Sequence, residues 1–239
     1  MLEVDSAPVR TRQPEVSTHS ALLGIDEAGQ HLLACGNELV LGHARGRGID
    51  LPFLANLPPR HACFQLRQSF SGGAGWHLVP LSQELVRRNG RPLGPAGALL
   101  CDQDQLEFAS NLELSFHLPD PSTSSALLVV RRGPECAGAD RVLLVAPGLG
   151  GRVRLGATAQ RHVRVPNLDG ECELSWNGAE LELHSALGVA VRAAQAFGES
   201  SARCVLPFPP RARTDLALGA TRGPRPALWL TLEPLLVED

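Results

Sequence analysis

The sequence predicts an all-β protein made of two β-sandwiches in tandem. Three observations predict it. Short apolar or alternating runs (HLLA, NELVLG, HACFQL, WHLVPL, DQLEFA, LELSFHL) follow one another from Ala21 onward, each of strand length. Gly, Pro and Asn clusters such as SGGAG, RRNGRP and LGPAG separate them, and 3.6-residue periodicity is nearly absent. Finally, Leu41-Gly42, Ile49 and Leu51-Pro52 recur, each 114 residues later, as Leu155-Gly156, Val163 and Val165-Pro166.

A chain of 239 residues has room for two domains of about 100 to 150 residues, each with its own core. Residues 1–19 mix Pro, charge and Ser/Thr with scattered apolar positions and read as a flexible tail. The first sandwich is expected over 20–118. PDPSTSS, residues 119–125, reads as a linker, and strands resume over 126–239 in the second sandwich. Ser20-Ala21-Leu22-Leu23 opens the first block and Ser125-Ala126-Leu127-Leu128 the second. His61-Ala62-Cys63 matches Glu171-Cys172, and the closing LELSFHLP near 112–119 matches LWLTLEP near 228–234. GVAVRAAQAFGES, near 188–200, fits either one or two helical turns or strand plus loop. Trp176-Asn177-Gly178 reads as a hairpin turn between ECELSW and AELELHS. Pro207-Phe208-Pro209-Pro210 reads as a loop, with a polyproline ligand as the alternative.

Composition narrows the function. Against 25 acidic residues stand 22 cations, so the net charge of −3 gives no basic field for nucleic acid or an anionic membrane. All the cations are Arg, and the sequence contains neither Lys nor Tyr. That is background composition, although the guanidinium fork suits carboxylate and phosphate. There is neither an N-terminal apolar core of signal-peptide length nor a run of about 18 apolar residues, so no membrane insertion and a cytoplasmic location are expected. The six cysteines show no CxxC spacing and no clustered His, so no metal and no cofactor are expected, and the thiols read as free core residues.

In the first block the order of features is Leu41-Gly42, Ile49-Asp50-Leu51, Arg60-His61-Ala62, Trp76-His77-Leu78, Asn89-Gly90 and Leu106-Glu107-Phe108. Over about Ala21 to Pro119 this resembles a forkhead-associated (FHA) domain, whose signature runs Gly-Arg, an Asp-Ile-x-Leu-like strand, Ser-x-x-His-Ala, Trp-x-Leu, Asn-Gly and a closing Gly-Asp strand. The second block keeps this framework without the polar signature. The resemblance implies a tandem of FHA-like β-sandwiches, the second one degenerate. It also implies phosphothreonine-peptide binding through loops gathered at one end of the sandwich.

The residues support parts of that role. Gly42 permits a tight exit from a strand, and Asn89-Gly90 supplies the positive φ of a turn. His61, ahead of the Ala-Cys-Phe strand, reads as a buried imidazole that holds loop backbone, which is also the role the resemblance implies. The family's phosphate contacts come mainly from the Arg of Gly-Arg and the Ser of Ser-x-x-His, but His43 and Pro58 occupy those positions here. Two charge-assisted hydrogen bonds at about 1.5 to 3 kcal/mol each are missing. A micromolar complex has only about 8 kcal/mol in total, so phosphothreonine recognition is expected to be weakened or lost. Arg45, Arg47, Arg60, Arg87, Arg88 and Arg91 could form a cationic rim at one end, and Asn89 matches the family's peptide-contacting Asn.

The expectation is a non-enzymatic protein-interaction adaptor for acidic or phosphorylated protein partners, as in signalling. The alternative is a structural subunit of a larger bacterial assembly such as a secretion machine. No catalytic residue is expected: no Ser or Cys nucleophile has a base and an orienter, and Asp102 and Asp104 fit the turn before a strand.

Overall fold

The computed structural model describes residues 15–68, 73–147, 150–193, 196–219 and 228–237. Among them the chain is all-β. The strands are β1 (Glu15–Ile25), β2 (Gly29–Cys35), β3 (Glu38–His43), β4 (Leu51–Phe53), β5 (Ala62–Gln68), β6 (Ala74–Pro80), β7 (Val86–Arg88), β8 (Arg91–Pro92), β9 (Ala98–Leu99), β10 (Asp104–Phe108) and β11 (Leu112–His117). They continue as β12 (Ala126–Arg132), β13 (Arg141–Val145), β14 (Arg152–Gly156), β15 (Val163–Arg164), β16 (Cys172–Trp176), β17 (Glu180–Ala193), β18 (Ala196–Phe197), β19 (Ser201–Pro207), β20 (Thr214–Leu218) and β21 (Leu228–Val237). In the stretch near 188–200 the described residues follow the strand-plus-loop alternative: strand through Ala193 and over Ala196–Phe197, then loop over 198–200, with 194–195 outside the described residues. Of the tail expected through residue 19, residues 1–14 lie outside the described residues, and from Glu15 the chain is already in β1.

The two halves repeat one strand order. One five-stranded sheet runs β4-β3-β5-β6-β9, and the second half repeats it as β15-β14-β16-β17-β19. Facing the first is β13-β12-β11-β10-β7-β8, and its counterpart in the second half is β2-β1-β21-β20-β17-β18. Strand β17 serves both sheets of its sandwich by bending at Gly188 (φ 82). Before the bend it pairs with β16 and β19, and after it with β20 and β18, with one further β19 pair at Val189. Leu41-Gly42 pairs in parallel with Leu51-Pro52. Its counterpart Leu155-Gly156 pairs in parallel with Val163-Arg164, two residues earlier than the repeat spacing leads one to expect.

The order also shows that the first hairpins have changed places. β1–β2, at the start of the first half, completes the second sandwich, and β12–β13 completes the first. The registers are equivalent: Phe116 pairs with Leu128 and Leu114 with Val130, while their repeat counterparts pair as Leu232 with Leu23 and Leu230 with Ile25. β2 and β13 meet side by side in parallel. Because side chains alternate across a strand, this pair is a wall shared by two cores. Leu32, Ala34, Val142 and Leu144 face the first core with Phe53, Phe64, Trp76, Phe108 and Phe116. Leu33, Cys35, Leu143 and Val145 face the second with Leu155, Cys172, Leu174, Leu183 and Leu230.

The two cores meet across this shared wall, and the segment expected as a linker, 119–125, packs against both sandwiches. That segment is a strap. Arg154 donates to Asp120 at 2.6 Å, the Ser124 carbonyl accepts from the Trp76 indole at 2.7 Å, and Thr123 lies 3.3 Å from the His162 ring nitrogen. Pro and Ser content marks where regular structure stops, and it does not show what the stopped segment touches. Pro207 ends β19 and 208–210 form a loop in which Phe208 is buried edge-on against Trp176, so the segment offers no exposed polyproline face. Asn177-Gly178 is the expected hairpin turn: the Asn177 side chain accepts from the Ala179 and Glu180 amides, and Gly178 has φ 107.

Candidate functional site

The apical end of the first sandwich is built by loops 44–50, 54–61 and 81–85. The first two are pressed together. His43 N donates to Pro58 O at 3.1 Å, and a Cβ on Gly42 would lie 2.0 Å from the Pro59 carbonyl oxygen, so only glycine fits the strand exit. His61, fully buried, ties in the third loop. Its Nδ1 is 2.8 Å from Ser82 Oγ, its carbonyl accepts from Leu81 N, and its ring meets Phe108 edge-on at 5.9 Å. Burial lowers its imidazole pKa below the ordinary value, against the pull of Glu84. The geometry is that of a strut inside a packed loop.

Arg45, Arg47 and Arg60 are exposed on this end, and no ion pair joins any of them to another described residue. Between them stand exposed leucines: Leu54 is 71% accessible, and Leu81 and Leu85 are also exposed. The two positions that replace phosphate ligands serve the frame. The His43 ring accepts the Arg45 amide proton at 3.1 Å, and Pro58 offers only its carbonyl.

Asn89, Arg87 and Arg88 are not brought to this end. β7 leaves loop 81–85 and runs along β10, so Val86 pairs with Phe108 near His61, while Asn89 lies beside Gln105. The length of β10 separates the two, roughly 13 Å at about 3.3 Å per residue. Asn89 (φ 52) and Gly90 (φ 76) form the β7–β8 turn. Both polar atoms of the Asn89 side chain are engaged, with Nδ2 donating to Asp104 at 2.7 Å and Oδ1 accepting from Gln105 N at 2.8 Å. Arg88 is bound to the same carboxylate at 2.6 Å, and Arg87 donates to Gly90 O. Asp104 is thus the centre of a structural knot. Burial would raise its pKa, but hydrogen bonds from Arg88, the Cys101 amide and Asn89 outweigh that and hold it below the ordinary value. Its side chain, 16 residues from Arg88, carried no local sequence signal of this role.

The equivalent end of the second sandwich is occupied from within. Arg161 is paired with Glu171, and Asn167 donates to Glu27 of the β1–β2 turn at 2.9 Å. On the outer face of β14, β16 and β17 a groove of about 830 Å³ is lined by Arg152, Glu173, Glu182 and His184, among others. Its charges neutralise one another through Arg154–Glu173 and Arg203–Glu182. The six cysteines are free; Cys35, Cys63, Cys136 and Cys172 are buried, and burial raises each of their thiol pKa values. Among the described residues no group of three or more His, Cys, Asp or Glu is placed to hold a metal, and no helix is long and apolar enough to cross a membrane.

In comparisons with known proteins, the chain matches no family model and no curated protein.

Proposed function

We propose that the protein is a non-enzymatic interaction module whose first sandwich receives acidic or phosphorylated segments of partner proteins at loops 44–50, 54–61 and 81–85. The observation that carries this reading is the set of three exposed guanidinium groups, Arg45, Arg47 and Arg60, which have no ion-pair partner among the described residues and stand on loops braced by Gly42 and by the His61–Ser82 contact. A surface arginine with no internal partner is free to form charge-assisted bonds, which are the stronger kind. With His43 and Pro58 in the frame, strict phosphothreonine selection is weak in this reading. Forkhead-associated ancestry, suggested by the order of motifs, is part of the same proposal.

A second reading makes the protein a rigid subunit of a larger bacterial assembly, and it is favoured by the shared wall and by the internally occupied end of the second sandwich. Pull-down from native lysate with and without phosphatase separates the two. A complex lost on dephosphorylation supports the adaptor. A stable complex indifferent both to phosphatase and to Arg60→Ala supports the subunit.

A further inference from the structure

The hairpin that completes the first sandwich brings its turn to the apical end. Residues 133–140 join β12 to β13, and within that turn Cys136 forms an antiparallel bridge with Phe53, the last residue of β4. Cys136 is fully buried in the first core, which anchors the turn. Leu54 follows Phe53 and Glu135 precedes Cys136, so the bridge brings these two exposed residues to the same edge. On the other side of Phe53, its carbonyl accepts from Ala44 N at 2.9 Å, and Ala44 leads directly into Arg45. The sequence of groups across this edge is therefore cation, apolar side chain, anion. Glu135 forms no ion pair with a described residue. At the second sandwich the exchanged turn does likewise, since Glu27 accepts from Asn167 in the loop after β15. There the contact is internal, whereas at the first sandwich the carboxylate is left free.

We infer that the binding edge of the first sandwich is a composite of both halves, in which Leu54 anchors and Glu135 of the exchanged hairpin selects an extended partner segment carrying an acidic group, then an apolar residue, then a cation. This rests on the reading of the arginine edge given above and adds to it a residue contributed from the other half of the chain. Charge complementarity fixes the order: the acidic group meets Arg45, Arg47 and Arg60, the apolar residue covers Leu54, and the cation meets Glu135. An exposed charge pair of this kind acts on selectivity more than on raw affinity.

The test uses the full chain and two labelled synthetic peptides, each made with phosphothreonine or with Asp-Glu as the acidic group, and differing only in whether Lys or Glu follows a leucine. Fluorescence anisotropy should show the Lys peptide bound about threefold or more tightly than the Glu peptide. Glu135→Arg should reverse that preference, and Leu54→Ser should weaken both peptides while leaving their ratio intact. Melting temperatures should stay unchanged, because both sites are exposed. If Glu135→Arg leaves the ratio unmoved, or Leu54→Ser leaves affinity unmoved, while Arg60→Ala still abolishes binding, the composite edge is overturned and the arginine reading stands. A wild-type chain that binds neither peptide overturns both.

Discussion

The two sandwiches share a strand order but not a working end. In the first, loops braced by Gly42 and His61 present three exposed arginines with no ion-pair partner among the described residues. In the second, Arg161 is bound to Glu171 and Asn167 to Glu27. The two halves have in common what both cores require, the alternating strands and their registers, and differ in their loops, whose side chains carry little of the core's burial energy. Each apical end is nonetheless joined by a hairpin turn from the other half. Breaking the chain between the halves is the largest perturbation available. Residues 1–118 alone would lack the strand pair next to β11, and 119–239 alone would lack the pair next to β21. Each would also expose one face of the shared wall, so each half should be unfolded by circular dichroism and the two should regain β-structure on mixing. A half that melts cooperatively by itself would show that the hairpins need not be exchanged.

The exchange also explains what could be read from the sequence. The repeat was legible because Leu41-Gly42 to Leu51-Pro52 and its copy need the same residue types at the same spacing. The partner of each hairpin was not legible: Ser20-Ala21-Leu22-Leu23 and Ser125-Ala126-Leu127-Leu128 are the same tetrapeptide and fit either sandwich. Asn89-Gly90 was legible as a turn, because positive φ selects those residues. Its place at the far end of β10 depends on the pairing of Arg88 with Leu106, which no local pattern encodes. His61 was legible as a strut because two prolines and a strand surround it.

A second difference lies in the shared wall. His31 sits opposite Leu23 on β1, where Val142 sits opposite Leu128 in the other hairpin. It is 1% exposed, and neither ring nitrogen makes a hydrogen bond of good geometry among the described residues. Burial, with Arg141 alongside, lowers its pKa from 6.5 to about 4. The unfolded chain therefore takes up a proton that the native state refuses. Stability should hold above pH 6.5 and fall by about 3 kcal/mol as the pH drops towards 4. His61 and His162 are shifted in the same direction and add to the loss. Denaturant titrations across this window should show that His31→Val, which copies the other hairpin, removes most of the slope. An unchanged slope would mean that the histidine is solvated.

Two pairs of smaller substitutions compare equivalent positions. Gly42→Ala forces a methyl group against the Pro59 carbonyl, a backbone atom that cannot turn aside, and should cost about 1 to 3 kcal/mol. At Gly156 the nearest atom to a new Cβ is Cγ of Arg161, at 3.3 Å, on a flexible side chain, so Gly156→Ala should be close to neutral. Equal melting shifts would undo the claim that only the first strand exit is tight. His61→Ala should lower stability by about 1 to 3 kcal/mol, since it strands Ser82 and opens space beside Phe108. Glu171→Ala, in the matching position before Cys172, loses only an exposed contact to Arg161 and should hardly register.

The smallest effect on stability belongs to the residues with the largest expected effect on binding. Arg45 and Arg60 hold nothing in place, so Arg45→Ala and Arg60→Ala should each change stability by no more than about 0.5 kcal/mol. Arg161, paired within its own sandwich, should be similarly neutral, because an exposed ion pair adds little. The comparison is decided by partner capture. Loss at Arg45 and Arg60 with retention at Arg161 places recognition at the open end, and that loss should shrink as salt rises, since the contacts are exposed charges. If Arg161→Ala were the variant that lost the partner, the second sandwich would be the recognition end, and its occupied loops would have to open to bind.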